Sequence, residues 1–131
     1  GVFAGCQYTA SDGEVKFARY FPTGTTTQGS GDVTAYIYDD PNIVYAIQSA
    51  GSADFADIGQ LADHVAGTGD TSTGQSKFEI SGTTGTGTAG MRILGLYETP
   101  KNAFGTNGIL EATIHEHELN QHIDADGTVG V

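Results

Sequence analysis

The alternation of apolar and polar positions predicts a β-hairpin at the start of the chain. Residues 2–9 and 14–21 are both rich in strand-forming side chains, and they flank Asp12 and Gly13. An Asp-Gly pair readily adopts the positive φ angles of a tight hairpin turn. The second strand alternates with a period of two, so one of its faces carries more core residues than the other.

The next apolar runs predict two strands joined by a turn. The strands are residues 33–38 and 43–48, and the turn is Asp39-Asp40-Pro41-Asn42. Proline presets a φ angle that suits the second position of a turn. We therefore interpret Asp39 and Asp40 as turn residues in preference to calcium ligands.

Three further strands and three polar loops fill most of the remaining sequence. The predicted strands are residues 76–80, 91–97 and 109–118, and the glycine- and threonine-rich loops are residues 22–31, 67–75 and 81–90. The loop at 22–31 has nothing to bury and is predicted to lie mobile at the surface. One short helix is predicted near 57–65, with Asp57 as its cap and one apolar stripe formed by Ile58, Leu61, Ala62 and Val65.

These elements predict an all-β fold. We expect residues 1–131 to form a single β-rich domain, built as a β-barrel or β-sandwich of about seven or eight short strands. The lone cysteine, Cys6, excludes an internal disulfide, and its apolar neighbours favour a buried, inert thiol.

The charge of the chain excludes several kinds of partner. Sixteen acidic residues against five basic ones leave a net charge of −11. Nucleic acids and anionic membranes are bound through Lys and Arg, so neither is an expected partner. No run approaches the roughly 20 apolar residues of a membrane span.

The stretch ATIHEHELNQH is the strongest candidate for chemistry. The zincin signature needs a second histidine four positions after the first, but positions 119 and 121 are leucine and glutamine. On a strand, His115 and His117 would share one face and could chelate zinc or copper, with His122, His64 or an acidic residue as a further ligand. We favour the alternative, a solvated strand face that leaves the core.

The other candidate sites are weaker. Asp124, Asp126 and Gly127 resemble part of a calcium loop but lack its final glutamate, so an acidic turn is favoured. The six tyrosines could line a sugar-binding surface, although cross-strand packing explains them more simply. No G-x-S-x-G elbow is present. We therefore predict that the protein is not an enzyme and that it binds no cofactor.

Several segments, in order along the chain, resemble small virion proteins of tailed phages, especially those of marine and cyanobacterial hosts. These segments are GVFAGCQYT, AYIYDDPNIVYAIQ, DIGQLAD, MRILGL and ILEATIHEHEL. Such proteins are described as structural, head decoration or capsid cement proteins. The resemblance implies further residues before the GVFAGC segment.

The family also implies a role and a location. The protein would be made in the host cytoplasm and would lie on the outer surface of the head, where it bridges major capsid protein subunits. Homo-oligomers, most often trimers, are expected. The residues expected to contact the capsid lie in the N-terminal arm and two loops: Gly1, Val2, Phe3, Ala4, Thr25, Thr26, Thr27 and Thr84.

Two alternative functions remain open at the level of sequence. A tail- or fibre-associated adhesion module would bind carbohydrate through the tyrosines. A metal-binding β-domain would use His115 and His117.

Overall fold

The structure is a computed structural model that describes residues 1–29, 31–117, 119, 122–123 and 129–130. Within these residues it is all-β, with several antiparallel sheets and one 3-10 turn as the only helical element. The chain divides into two compact units. Unit 1 contains Gly1–Asp39 and Thr68–Ser76, and unit 2 contains Asp40–Gly67 and Lys77–Val131.

Unit 1 is built around a three-stranded antiparallel sheet. Its strands are β1 (Val2–Thr9), β2 (Val15–Ala18) and β3 (Val33–Tyr38), in the order β2-β1-β3. The predicted hairpin is confirmed, because β1 and β2 pair on either side of the Asp-Gly turn, although β2 is shorter than predicted. A bulge shifts the β1–β3 register between Phe3 and Gly5. Gly5 has a positive φ of 153°, which glycine adopts more readily than other residues.

The core of unit 1 is small. Its buried residues are Cys6, Tyr8 and Ala10, and the half-buried Ala18 packs against them. The Tyr8 ring also makes an edge-to-face contact with Phe21, at 5.4 Å between ring centroids. The predicted burial of the Cys6 thiol is confirmed.

The polar loop after β2 is held by backbone hydrogen bonds to the end of β1. The Gln28 N–H donates to the Thr9 carbonyl at 3.0 Å, and the Ser11 N–H donates to the Thr26 carbonyl at 3.1 Å. An isolated bridge also joins Ala10 and Thr27. The sequence predicted a mobile surface loop with nothing to bury here, and the structure shows that backbone hydrogen bonds attach this loop to the end of β1.

Unit 2 contains the remaining strands, many of them only two residues long. They are β4 (Tyr45–Gln48), β5 (Ser52–Ala53), β6 (Leu61–Ala62), β7 (His64–Val65), β8 (Glu79–Ile80), β9 (Met91–Leu96), β10 (Gly105–Thr106), β11 (Ile109–Ile114), β12 (His122–Ile123) and β13 (Val129–Gly130). The largest sheet has the order β4-β11-β9-β6. The pairs β5–β10, β7–β8 and β12–β13 are separate ladders.

The core of unit 2 is larger than that of unit 1. Its buried members come from five strands of the unit: Ala53, Ala62, Ile80, Met91, Ile93, Leu110 and Ala112. Period-two alternation explains the pattern, since Leu110 and Ala112 point inward from β11 while their neighbours are only half buried. The sequence of β9 is almost continuously apolar, which favours burial, but its Leu94 is exposed.

The predicted helix at 57–65 is wrong. Only Phe55–Asp57 form a 3-10 turn, capped by Asp54, whose backbone N–H donates in return to the Asp57 carboxylate at 2.7 Å. Gly59 then takes a φ of +85°, which a helix does not allow. The apolar stripe belongs partly to β6, where Leu61 and Ala62 enter the core of unit 2.

Four predicted strands of unit 2 are shorter than expected. The strand predicted at 43–48 contains Tyr45–Gln48, and the one predicted at 91–97 ends at Leu96. The strand predicted at 76–80 contains only Glu79–Ile80, and the one predicted at 109–118 ends at Ile114. None of the sheets formed by the described residues closes into a barrel.

Candidate interaction surface

The most unusual feature of unit 1 is an exposed apolar face on its sheet. Directly opposed residues share a face in an antiparallel ladder, and Gln7 lies opposite both Phe17 and Thr34. Alternation from these positions places further side chains on the same side. We call the exposed apolar residues of this side the aromatic face: Val2, Val15, Phe17, Tyr36 and Tyr38.

The aromatic face is strongly exposed. Phe17 is 72% exposed and Tyr38 is 59% exposed, whereas the other side of the sheet contains the buried Cys6 and Tyr8. One hydrogen bond orients the face, since the Tyr36 hydroxyl donates to the Gln7 side-chain oxygen at 2.9 Å. Aromatic side chains present about 150–250 Å² each, so the exposed area is on the order of several hundred Å², as in functional patches.

The charge of the sheet differs from that of the chain. Lys16 is the only charged residue in β1, β2 and β3, and none of these strands contains an acidic residue. Acidic residues stand at the strand ends instead: Asp12, Glu14, Asp32 and Asp39. The sheet therefore offers an apolar centre with an acidic margin.

The hydrogen bond from Lys16 to Glu14 raises the pKa of the lysine, and the nitrogen lies 3.2 Å from the carboxylate. The pKa of Asp70 is lowered, chiefly because the Ser72 hydroxyl donates to its carboxylate. Both groups are at the surface. A catalytic site is indicated when pKa shifts occur in an acid–base pair that lies in a cleft. Among the described residues, neither Lys16 nor Asp70 belongs to such a pair.

The histidine stretch does not form the predicted strand face. The strand β11 ends at Ile114, so His115 and His117 both lie beyond it. His117 is only 8% exposed, and its Nδ1 accepts a hydrogen bond from the Leu119 N–H at 3.1 Å. The expectation of a solvated strand face is therefore wrong for His117.

The structure brings no metal-ligand set together in the part of the chain that it describes. No group of three or more His, Cys, Asp or Glu side chains there is placed to hold an ion. His64 is exposed and its ring lies against Phe78, at 5.6 Å between centroids. The side chain of His122 and the predicted acidic turn at 124–127 lie outside the described residues, so a metal site that includes them stays a prediction.

The residues predicted to contact a capsid are only partly exposed. Gly1, Val2, Phe3 and Ala4 are all exposed, and Val2 belongs to the aromatic face. Thr26 is exposed, but Thr25 and Thr27 are half buried, and their hydroxyls donate to the carbonyls of Pro22 and Gly29. Thr84 is also half buried and donates to the Asp57 carboxylate at 2.8 Å.

Unit 2 contains a shallow cleft between β6 and the loop at 83–89. It is lined by Leu61, Ala62, Asp63, Thr83, Thr84, Gly85, Gly87, Thr88 and Ala89 and encloses about 210 Å³. That volume is below the roughly 300–1,000 Å³ of small-molecule sites. The Asp63 carboxylate accepts a hydrogen bond from the Gly90 N–H at 3.2 Å, which is consistent with a structural role.

Sequence analysis did not identify the aromatic face. The available signal was the run VTAYIY, in which apolar residues occupy both faces of a strand. Such a run is typical of a strand buried on both sides. In unit 1 the same run is exposed along its whole length.

The described part of this chain is therefore an all-β protein with an exposed apolar sheet. Comparison of the chain with protein-family models, with curated proteins and with solved structures gave no match. No helix in the described residues is long and apolar enough to cross a membrane.

Proposed function

We propose that the protein is a non-enzymatic structural protein of a phage virion that decorates the outer surface of the capsid and stabilises the shell. The aromatic face is the observation that supports this proposal best. Large exposed apolar patches mark interaction sites, and Tyr and Phe side chains are enriched in the centres of protein interfaces. The partners are the major capsid protein and further copies of the chain, with a trimer as the expected assembly.

Two physical arguments support this location. A decoration protein is present in many copies, so individually weak contacts add up over the shell by multivalency. The charge of −11 opposes contact with packaged DNA and suits the outside of the particle. Of the two arrangements expected from the sequence, the β-sandwich stays part of this proposal, because no sheet of the described residues closes into a barrel.

Quantitative mass spectrometry of purified virions tests the proposal. A fixed, simple ratio of this chain to the major capsid protein is the expected result. A few copies per particle would place the protein in the tail or at a vertex, and absence from the particle would overturn the proposal.

A matched pair of substitutions tests the surface. Phe17 and Phe55 are both 72% exposed, but only Phe17 belongs to the aromatic face. Phe17→Ala is expected to lower capsid occupancy by roughly tenfold or more, as at an interface hot spot, and Phe55→Ala is expected to leave it unchanged. Equal effects of the two substitutions would contradict the assignment of the surface.

The carbohydrate-binding alternative is supported by a narrower observation. Of the six tyrosines, Tyr36 and Tyr38 alone share one exposed face. Two neighbouring tyrosine rings can stack on a sugar. Binding on a glycan array that is lost in Tyr38→Ala would favour a tail- or fibre-associated adhesion module over the capsid role.

A further inference from the structure

The outer edge of β3 is open in the described structure. In the sheet order β2-β1-β3 the strand pairs on one side with β1, and no described residue pairs with its other side. All six of its residues are exposed. An open edge presents unpaired backbone N–H and C=O groups that another chain can join as a further strand.

The backbone groups at this edge can be assigned. The Thr9 N–H donates to the Asp32 carbonyl at 3.3 Å, so the pair Thr9–Asp32 is hydrogen bonded. Hydrogen-bonded and non-hydrogen-bonded pairs alternate along an antiparallel ladder. Thr34 therefore directs its N–H and C=O towards β1, whereas Val33 and Ala35 direct theirs to the open edge.

The side chains of β3 also favour the binding of a further strand at this edge. The sequence VTAYIY is uncharged, lacks proline and favours strands. Such an edge tends to associate with other chains unless something covers it.

The charges beside β3 oppose pairing with a second copy. Asp32 precedes the strand and Asp39 follows it, and both are exposed. In the antiparallel registers that oppose the edge-facing residues of two copies, Asp32 of one copy would lie opposite Tyr38 or Asp40 of the other, and so next to Asp39. Like charges held this close on neighbouring strands destabilise a strand pair. Asp39 also lies 3.4 Å from the amino group of Gly1, so Asp32 carries most of this argument.

We infer that β3 accepts an extended segment of a partner protein as an additional strand, and that this segment carries alternating apolar or β-branched side chains with Lys or Arg at its ends. Backbone hydrogen bonds to Val33 and Ala35 would supply affinity, as in other cases of strand addition. The basic ends would pair with Asp32 and with the acidic end of the strand. This inference rests on the proposed function in one respect, that the surface serves a protein partner.

Selection from a displayed library of random linear peptides on the immobilised full chain tests the inference. The enriched peptides are expected to contain an alternating run of Val, Ile, Thr or aromatic residues flanked by Lys or Arg. No enrichment, or enrichment of peptides without this pattern, would overturn the inference.

Two variants give the test its controls. Ala35→Pro removes an edge-facing N–H, which an edge strand tolerates, and it is expected to weaken binding of the selected peptides by roughly tenfold or more with little change in melting temperature. Asp32→Lys is expected to remove the preference for a basic residue at one end of the peptide. Equal binding to the native chain and to Ala35→Pro would overturn the inference, as would self-association of the native chain that Ala35→Pro abolishes.

The selection needs no capsid, so it is independent of the virion measurement. Failure of the selection with the protein present on capsids would reject the strand-addition surface and keep the decoration role. Enrichment of the expected peptides, with the protein absent from virions, would keep the strand-addition surface and reject the decoration role.

Discussion

Gly74 shows how a single residue fixes a polar loop of unit 1. It has a φ of +73°, and a Cβ at this position would collide with the ring of Tyr20. The Tyr20 hydroxyl also donates to the Ser72 carbonyl, at 3.4 Å. The loop at 68–76 therefore packs against the segment after β2, although its polar sequence carries no sign of this contact.

Substitution of Gly74 by alanine is expected to destabilise the protein by more than the backbone conformation alone requires. The control is Gly24, whose φ of +78° is similar and whose Cβ position is open. Gly24→Ala should cost about 1–2 kcal/mol for the left-handed backbone, and Gly74→Ala should cost more because the Tyr20 ring must move. Urea unfolding measures the free energy of unfolding of both variants. Equal losses of stability would contradict the prediction, because they would mean that the Tyr20 ring moves away without cost.

Asp70 makes the stability of the same loop depend on pH. Its carboxylate accepts hydrogen bonds from the Ser72 hydroxyl at 2.6 Å and from the Ser72 N–H at 2.8 Å, and these lower its pKa. Since the folded-state pKa lies below the unfolded one, the ionised group stabilises the fold above the unfolded pKa. This contribution is lost as the pH falls through the folded pKa.

The melting temperature of the native chain, relative to Asp70→Asn, is therefore expected to fall as the pH is lowered from above the usual aspartate pKa of about 3.9 into the acid range below it. Asparagine retains an oxygen acceptor but does not titrate, so the other carboxylates cancel in the comparison. The measurement should be made at low salt, because the group is exposed and salt screens it. A difference in melting temperature that stays constant over this range would contradict the prediction.

At the scale of elements, Ile93 and Leu94 show that neighbouring residues of similar hydrophobicity can differ in burial. Both are large aliphatic residues on β9, but Ile93 is 1% exposed and Leu94 is 42% exposed. Ile93→Ala is expected to cost about 2–5 kcal/mol because it leaves a cavity in the core of unit 2. Leu94→Ala should cost less than about 1 kcal/mol. Chemical denaturation measures both, and similar losses would mean that Leu94 is covered in solution.

Elements were predictable from the sequence where the local pattern agrees with their strand pairing, and were missed where non-local pairing overrides it. The strand β3 has the predicted bounds, and the β1–β2 hairpin was found from its alternation and its Asp-Gly turn. The segment 57–65 has helical spacing, but Gly59 and the pairing of β6 with β9 and β7 with β8 override that pattern. Such pairing is non-local, so a local pattern does not reveal it.

The candidate site was less predictable than the fold. An apolar strand has the same sequence whether a core or a partner covers it, so VTAYIY did not show that β3 lies at an open edge. The prediction of a strand at the histidines was wrong because the local pattern did not show where the strand ends. His117 alternates with its neighbours as a strand residue would, but β11 ends before it and its ring accepts a backbone N–H.

At the scale of the whole molecule, the two units differ in the size of their cores. Unit 1 buries Cys6, Tyr8 and Ala10, whereas the buried cluster of unit 2 includes Ile80, Ile93 and Leu110. Buried apolar area supplies most of the stability of a fold, at about 25 cal/mol per Å². Unit 1 is therefore expected to open more readily than unit 2.

Amide hydrogen exchange followed by NMR tests this expectation in the isolated chain. The amides of β9 and β11 that pair with each other should be the slowest to exchange, and the amides of β1 that pair with β3 should exchange faster through partial opening. The edge-facing amides of Val33 and Ala35 should exchange faster than that of Thr34, which faces β1 and is their internal control. If the slowest amides of both units exchange at one common rate, the chain unfolds as the single domain predicted from its sequence. A slower limit in unit 2 would instead mean that unit 1 opens separately, so that any partner bound to its apolar sheet would stabilise unit 1 by mass action.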